Sequence, residues 1–180
     1  MRIGVNVKRI YDMLKNVRKR DSVELKVDEE TISLRIGSIE YTMGLIDPSA
    51  IRKPPKTSEL ELPAKVVLDA GQFKDAVNLA SKVTDEITLS TNENTFVLEA
   101  KGDTESIKLE LGSMDLIEFN GAKARSTFAV KYLKEFNKIA SKGDVLTIHL
   151  GTDLPARFVY EVADGKLTVE YLLAPRINTE

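Results

Sequence analysis

At 180 residues the chain has room for one large domain or two small ones, and 42% hydrophobic against 30% charged residues, with no low-complexity tract, excludes wholesale disorder. No cysteine and a single histidine, His149, exclude a thiolate nucleophile and a Cys/His zinc site. The net charge of −2 hides a segregation: residues 1–20 carry seven Lys or Arg against one acid, Asp12, whereas residues 85–118 carry nine acids against Lys101 and Lys108, a pattern expected of two faces with different partners.

In chain order, Ile3 to Val7 reads as extended and leads into "VKRIYDMLKNVRKR", where Ile10, Met13, Leu14 and Val17 share one helical face. Three alternating runs follow, "SVELKV", "TISLRI" and "IEYTMGLI", separated by Asp28-Glu29-Glu30 and Gly37-Ser38; period-two alternation broken by such residues predicts antiparallel hairpins. Residues 47–63, "DPSAIRKPPKTSELELP", hold four prolines and read as an extended linker. The pattern then restarts. Val66 to Ala70 leads into "GQFKDAVNLASKV", with Phe73, Ala76, Val77 and Ala80 on one face, followed by "EITLST", "TFVLEA" and "SIKLEL". In the connection "GSMDLIEFNGAKA", Leu116, Ile117 and Phe119 could add a short strand. Ser126 to Val130 leads into "KYLKEFNKIASKG", where Leu133, Phe136 and Ala140 match the earlier faces and Asn137 breaks them, and then into "VLTIHL", "ARFVYEV" and "KLTVEYLLA". The chain is therefore an α+β protein built from a strand–helix–strand–strand–strand repeat that recurs three times at about 60-residue spacing.

The helices share a second feature. Lys131, Lys134, Lys138 and Lys142 are spaced to fall opposite Leu133 and Phe136; the first helix carries Lys8, Lys15 and Lys19, and the second Lys74 and Lys82. Taken singly each is an ordinary solvated lysine. Repeated on three equivalent helices, they point to phosphate contact without base reading. Catalytic signals are missing: there is no Gly-rich phosphate loop, no nucleophile elbow, and no carboxylate cluster suited to metal-dependent cleavage. His149 reads as a strand residue, and no enzyme activity, cofactor or metal is expected. No apolar stretch approaches the about 20 residues that span a bilayer, and "MRIGVNVKRI" lacks a signal-peptide core, so a soluble cytoplasmic protein is the expectation and no membrane partner.

"GVNV", "YTMGLIDPSAIRKPP", "LELPAKVVLDAGQFKDAV", "EAKGD" and the terminal "YLLAPRI" occur in the order found in a known family. Over essentially its whole length the chain resembles the archaeal DNA sliding clamp, the proliferating cell nuclear antigen. The resemblance implies rings of three subunits, each of two domains with two repeats, with antiparallel sheets outside and basic helices lining the DNA side. It implies that residues 1–46 are the second half of the first domain, 47–63 the interdomain linker and 64–180 a complete second domain, so that the first domain lacks its N-terminal half. It implies binding of double-stranded DNA without sequence preference through Lys15, Lys82, Lys131, Lys134 and Lys138. DNA polymerase, clamp loader, flap endonuclease and ligase are implied as partners, docking short Gln-x-x-aliphatic-x-x-aromatic-aromatic peptides at Ile46, Ile51, Pro155, Leu172, Ala174 and Pro175. Homo-oligomer contacts are implied at Tyr41, at an acceptor edge in "FVLEAKG", and at Val77 and Ala80. The alternative is a peptide-binding fragment that competes for clamp partners without encircling DNA.

Overall fold

Asn6 and Asp69 start the first two helices in the same way: the Asn6 carboxamide oxygen accepts from the Arg9 N–H at 3.2 Å, and the Asp69 carboxylate accepts from the Gln72 N–H at 2.9 Å, each satisfying an orphan donor of the first turn. The computed structural model describes residues 3–51 and 60–176. The chain divides into two compact units, Met1–Pro55 and Lys56–Glu180. The division falls within the proline-rich segment 47–63, whose residues 52–59 lie outside the described residues.

The N-terminal unit consists of α1 (Val7–Leu14) and the strands β1 (Val23–Val27), β2 (Thr31–Ile36) and β3 (Ile39–Gly44), which form an antiparallel sheet in the order β1-β2-β3. Asp28 closes the first hairpin by accepting from the N–H groups of Glu30 and Thr31 and the Thr31 hydroxyl. Those bonds, the Thr31 N–H foremost, hold its carboxyl below the usual carboxylate range. Gly37 turns the second hairpin at φ +59°, a conformation glycine adopts without a Cβ penalty. The extended segment expected over Ile3 to Val7 forms no strand here. It makes one bridge, Gly4 to Ile46, and α1 already begins at Val7. Among the described residues of this unit, Ile32 and Leu34 are the only buried apolar side chains, and α1 buries none.

The C-terminal unit contains β4 (Ala64–Asp69), α2 (Ala70–Ala80), β5 (Glu86–Thr91), β6 (Thr95–Lys101), β7 (Ser106–Gly112), β8 (Glu118–Asn120), β9 (Ala124–Ala129), α3 (Val130–Phe136), β10 (Val145–Leu150), β11 (Ala156–Val162) and β12 (Leu167–Leu173). Its two antiparallel sheets run β12-β11-β10-β4-β8 and β7-β6-β5-β9. The repeats exchange strands. Leading strand β4 pairs with β10 of the following repeat, and leading strand β9 pairs with β5 of the preceding one. The two helices pack against each other and against the sheets, so that each repeat caps the other's apolar face. Phe158 sits at the centre of this core, with ring centroids of Phe73, Phe128 and Phe136 at 6.1–6.2 Å.

The third helix is shorter than its lysine spacing implies. The α-helix ends at Phe136 and a single 3-10 turn covers Asn137–Ile139, so Lys138 stands on that turn and Lys142 beyond it. Asn137 interrupts the apolar face because it points inward, where its Oδ1 accepts from the Tyr160 hydroxyl at 2.7 Å, both side chains being buried. Burial pushes the Tyr160 hydroxyl pKa up, and the asparagine supplies the partner that a buried phenol requires.

Candidate functional site

Two helix ends of the C-terminal unit meet at one shallow depression. The end of α2 delivers Lys82 with Ser81, Val83 and Thr84, and the start of α3 delivers Val130, Lys131 and Lys134; the depression holds about 390 Å³. All three lysines are exposed. Lys131 lies 4.8 Å over the Tyr132 ring, a cation–π contact that holds the ammonium group outward. Lys138 is also exposed but bonds the Glu135 carboxylate at 2.7 Å; a pair this open to water contributes little and exchanges readily for another anion. Lys15, on the N-terminal unit, is exposed beside Asp12 at 3.4 Å and lies 4.4 Å over the Tyr11 ring. Lys74 does not belong with them. Half-buried, it donates to the Ala140 carbonyl at 2.7 Å and ties α2 to the end of the third repeat's helix.

A second surface lies at the end of the chain. Ala156 pairs with Leu173 in the β11–β12 ladder, which puts Pro155 level with Ala174 on the neighbouring strand. Leu172 and Pro175 are half-buried and Ala174 is exposed. Beyond them Arg176 anchors the segment: its N–H donates to the Thr127 carbonyl at 2.7 Å, and its guanidinium meets Glu86 at 2.5 Å and Asp85 at 3.4 Å. An apolar tail is thus held in place by its polar end. On the N-terminal unit, Ile46 and Ile51 are 39% and 43% exposed. Ile46 lines a cleft of about 350 Å³ with Ile3, Gly4 and Leu45, and a Cβ on Gly4 would strike the Ile46 carbonyl and the Ile51 side chain.

The oligomer residues divide. Tyr41 is half-buried on β3, an edge strand of its sheet. Val77 and Ala80 are at 0% exposure in the core and offer no surface to a neighbour, because the exchange of strands buries the whole inner face of α2. "FVLEAKG" forms β6, bonded on one side to β5 and on the other to β7. The end strands of that sheet are β7 and β9, and the carbonyls of Arg125 and Thr127 on β9 already accept from the Asp153 and Arg176 N–H groups, which leaves β7 as the more open edge. Among the described residues no three His, Cys, Asp or Glu side chains converge as metal ligands, and no helix is long and apolar enough to cross a membrane.

Residues 56–176 match the family described as proliferating cell nuclear antigen, C-terminal domain. The DNA polymerase sliding clamp of Archaeoglobus fulgidus is 53% identical over 179 residues, covering 99% of this chain and 73% of the relative; that of Methanocella arvoryzae is 41% identical with 99% and 74% covered. The chain belongs to the sliding-clamp family. Its fold agrees: a structure of the C-terminal region of FEN-1 bound to A. fulgidus PCNA superposes with a TM-score of 0.90 at 53% identity over 99% of this chain and 73% of that one. PCNA from Thermococcus kodakaraensis gives 0.80 at 26% identity, with 97% and 73% covered. This clamp chain thus spans about three quarters of the length of these relatives.

Three residues of the clamp chain take parts that its sequence pattern hides. Arg176, Lys74 and Asn137 act through contacts more than 20 residues away along the chain, beyond any local periodicity. His149 is a fourth: it stands opposite both Lys65 and Arg157 in the β10 ladders, and its Nε2 lies 2.8 Å from an Arg157 Nη. Burial foremost, then the charges of Arg157 and Lys65, lower its pKa, so the neutral ring accepts from the guanidinium. The stabilisation that depends on a neutral ring is complete above the ordinary histidine value of about 6.5 and is lost as pH falls from there through the lowered folded value. Thermal midpoints measured between pH 7.5 and 5 should therefore fall more steeply for the native chain than for His149→Gln; parallel curves would contradict this.

Proposed function

We propose that the chain is a non-enzymatic sliding-clamp subunit that surrounds duplex DNA without reading its sequence and tethers replication and repair proteins by short hydrophobic peptides. The observation that carries the reading is the gathering of Lys82, Lys131 and Lys134 on the rim of one depression at two helix ends. Ammonium groups on flexible stems contact phosphates one at a time and weakly, which suits a protein that must move along the duplex. Lys15 and Lys138 add to this set, and the open strands β3, with Tyr41, and β7 supply edges through which subunits join. Fluorescence anisotropy of random-sequence duplexes against salt tests the DNA contact. Affinity should not depend on sequence and should fall linearly with salt on a double-logarithmic plot; a strong sequence preference or no salt dependence would overturn it.

The peptide site is proposed on Pro155, Leu172, Ala174 and Pro175, with Ile46 and Ile51 carried over as the family resemblance assigns them. Because Arg176 already holds this apolar segment, the segment itself loses little entropy when a peptide docks. That A. fulgidus PCNA binds the C-terminal region of FEN-1 supports a flap endonuclease among the partners, beside polymerase, clamp loader and ligase. A labelled peptide of the Gln-x-x-aliphatic-x-x-aromatic-aromatic type should bind Leu172→Glu at least about tenfold more weakly than the native chain, the size of one interface anchor. Ala174→Glu, at an exposed position, should do the same with an unchanged circular dichroism spectrum; full binding by the Ala174 variant would remove the site from this segment.

A further inference from the structure

Arg157 stands at a charged corner of the apolar patch at the end of the chain. It lies on β11 two residues beyond Pro155, and in the β11–β12 ladder it is directly opposite Leu172. Strand residues two apart share a face, and so do cross-strand partners. Pro155, Arg157, Leu172 and Ala174 therefore occupy one side of the sheet, with about 5 Å between the Cβ atoms of a facing pair. Arg157 is half-buried, as are Pro155 and Leu172.

The charge at this corner is unanswered among the described residues. The side chain that Arg157 bonds is His149, at 2.8 Å from one Nη, and that ring is neutral. The Arg157 Nε is buried without a partner, and a buried donor left without an acceptor is uncommon. Two strands further on, Lys65 is in a different state: it donates to both carboxylate oxygens of Glu118 at 2.7 Å, so its charge is already balanced. Glu170 on β12 faces Val159, and no ion pair joins it to the guanidinium.

We infer that Arg157 receives a carboxylate of the docking peptide, an aspartate or glutamate within about two residues of the apolar group that covers Leu172. The inference rests on the peptide site proposed above and adds a rule of choice among peptides that share the same hydrophobic plug. With one Nη engaged by His149, the guanidinium keeps further N–H donors, and a carboxylate accepts from such a planar fork in a charge-assisted pair. A lysine in the same place meets like charge and is rejected. The apolar residues thus supply affinity, and Arg157 supplies discrimination.

Three labelled peptides test this by fluorescence anisotropy. All carry the Gln-x-x-aliphatic-x-x-aromatic-aromatic core, with the x positions and two residues on either side filled by glutamate, by glutamine or by lysine. The native chain should bind the glutamate peptide at least about tenfold more tightly than the glutamine peptide, and the lysine peptide most weakly. Arg157→Gln should abolish the difference and leave the glutamine peptide's affinity unchanged, which also shows that the variant is folded. Arg157→Glu should place the lysine peptide first. Lys65→Gln, which removes the same charge from a side chain already paired, should keep the native order. No preference in the native chain, a preference that survives Arg157→Gln, or one lost equally in Lys65→Gln would overturn the inference and leave the peptide site standing. Failure of all three peptides to bind would overturn the peptide site and the inference with it.

Discussion

Replacing Lys131, Lys134 and Lys138 together by glutamate is expected to lower duplex affinity on the order of 100-fold at low salt and to make the double-logarithmic salt slope shallower by about 3, near 0.9 for each phosphate that is no longer neutralised. The fold should survive, because all three side chains are exposed and none bonds to a neighbouring element. The single variants are not expected to be equal. Lys138 already shares its charge with Glu135 at 2.7 Å, so K138E should weaken binding least, and K131E and K134E, on the rim with Lys82, should weaken it most. Anisotropy titrations at four or five salt concentrations decide the matter. Unchanged affinity and slope in the triple variant would remove DNA contact from this helix altogether.

The largest effect on stability is expected from Phe158→Ala. The ring is fully buried, faces three other aromatic rings from α2, β9 and α3, and its removal leaves a cavity between helices and sheet that rigid neighbours cannot fill. The cost is about 3–5 kcal/mol, a large fraction of a domain's net stability. Phe136 links Phe158 to Tyr171 on β12, stacked at 4.0 Å, so the cavity also loosens the support of the strand that carries Leu172. Urea unfolding followed by circular dichroism, in a chain without tryptophan, should show the midpoint shift with little change in slope. A shift under about 1 kcal/mol would mean that the aromatic cluster repacks and that the core is less tightly specified than its geometry implies.

Much of this architecture is legible in the sequence. Alternation such as Ile87, Leu89 and Thr91 marks an inward face, Asn and Gly mark the turns, and the hairpin strands expected from them fall within a residue or two of β1 to β3, β5 to β7 and β10 to β12. What alternation cannot encode is which strand lies beside which edge. A leading strand such as Val66 to Asp69 presents the same pattern whether it joins its own repeat or the next, and its pairing with β10 depends on residues about 80 positions away. The interface at Val77 and Ala80 and the acceptor edge in "FVLEAKG" come from the family resemblance and not from alternation; the structure buries the two side chains and pairs β6 on both sides. The lysine spacing over residues 131–142 also overstates the third helix, because it takes no account of an asparagine drawn inward by a tyrosine 23 positions later. The family resemblance supplies roles for Leu172, Ala174 and Pro175, while Arg176, which holds them in place, becomes visible only through its contacts with Asp85 and Glu86.

The central claim is that this chain surrounds DNA and does not merely adhere to it. The chain, mixed with a purified clamp-loader ATPase, would be assembled on nicked circular duplex attached to beads and washed at a salt concentration that removes simple electrostatic binders; the circle would then be cut once by a restriction enzyme. A topological clamp stays on the intact circle through the wash and leaves when the DNA is linearised. Loss during the wash, or equal retention on circular and linear DNA, would contradict encirclement.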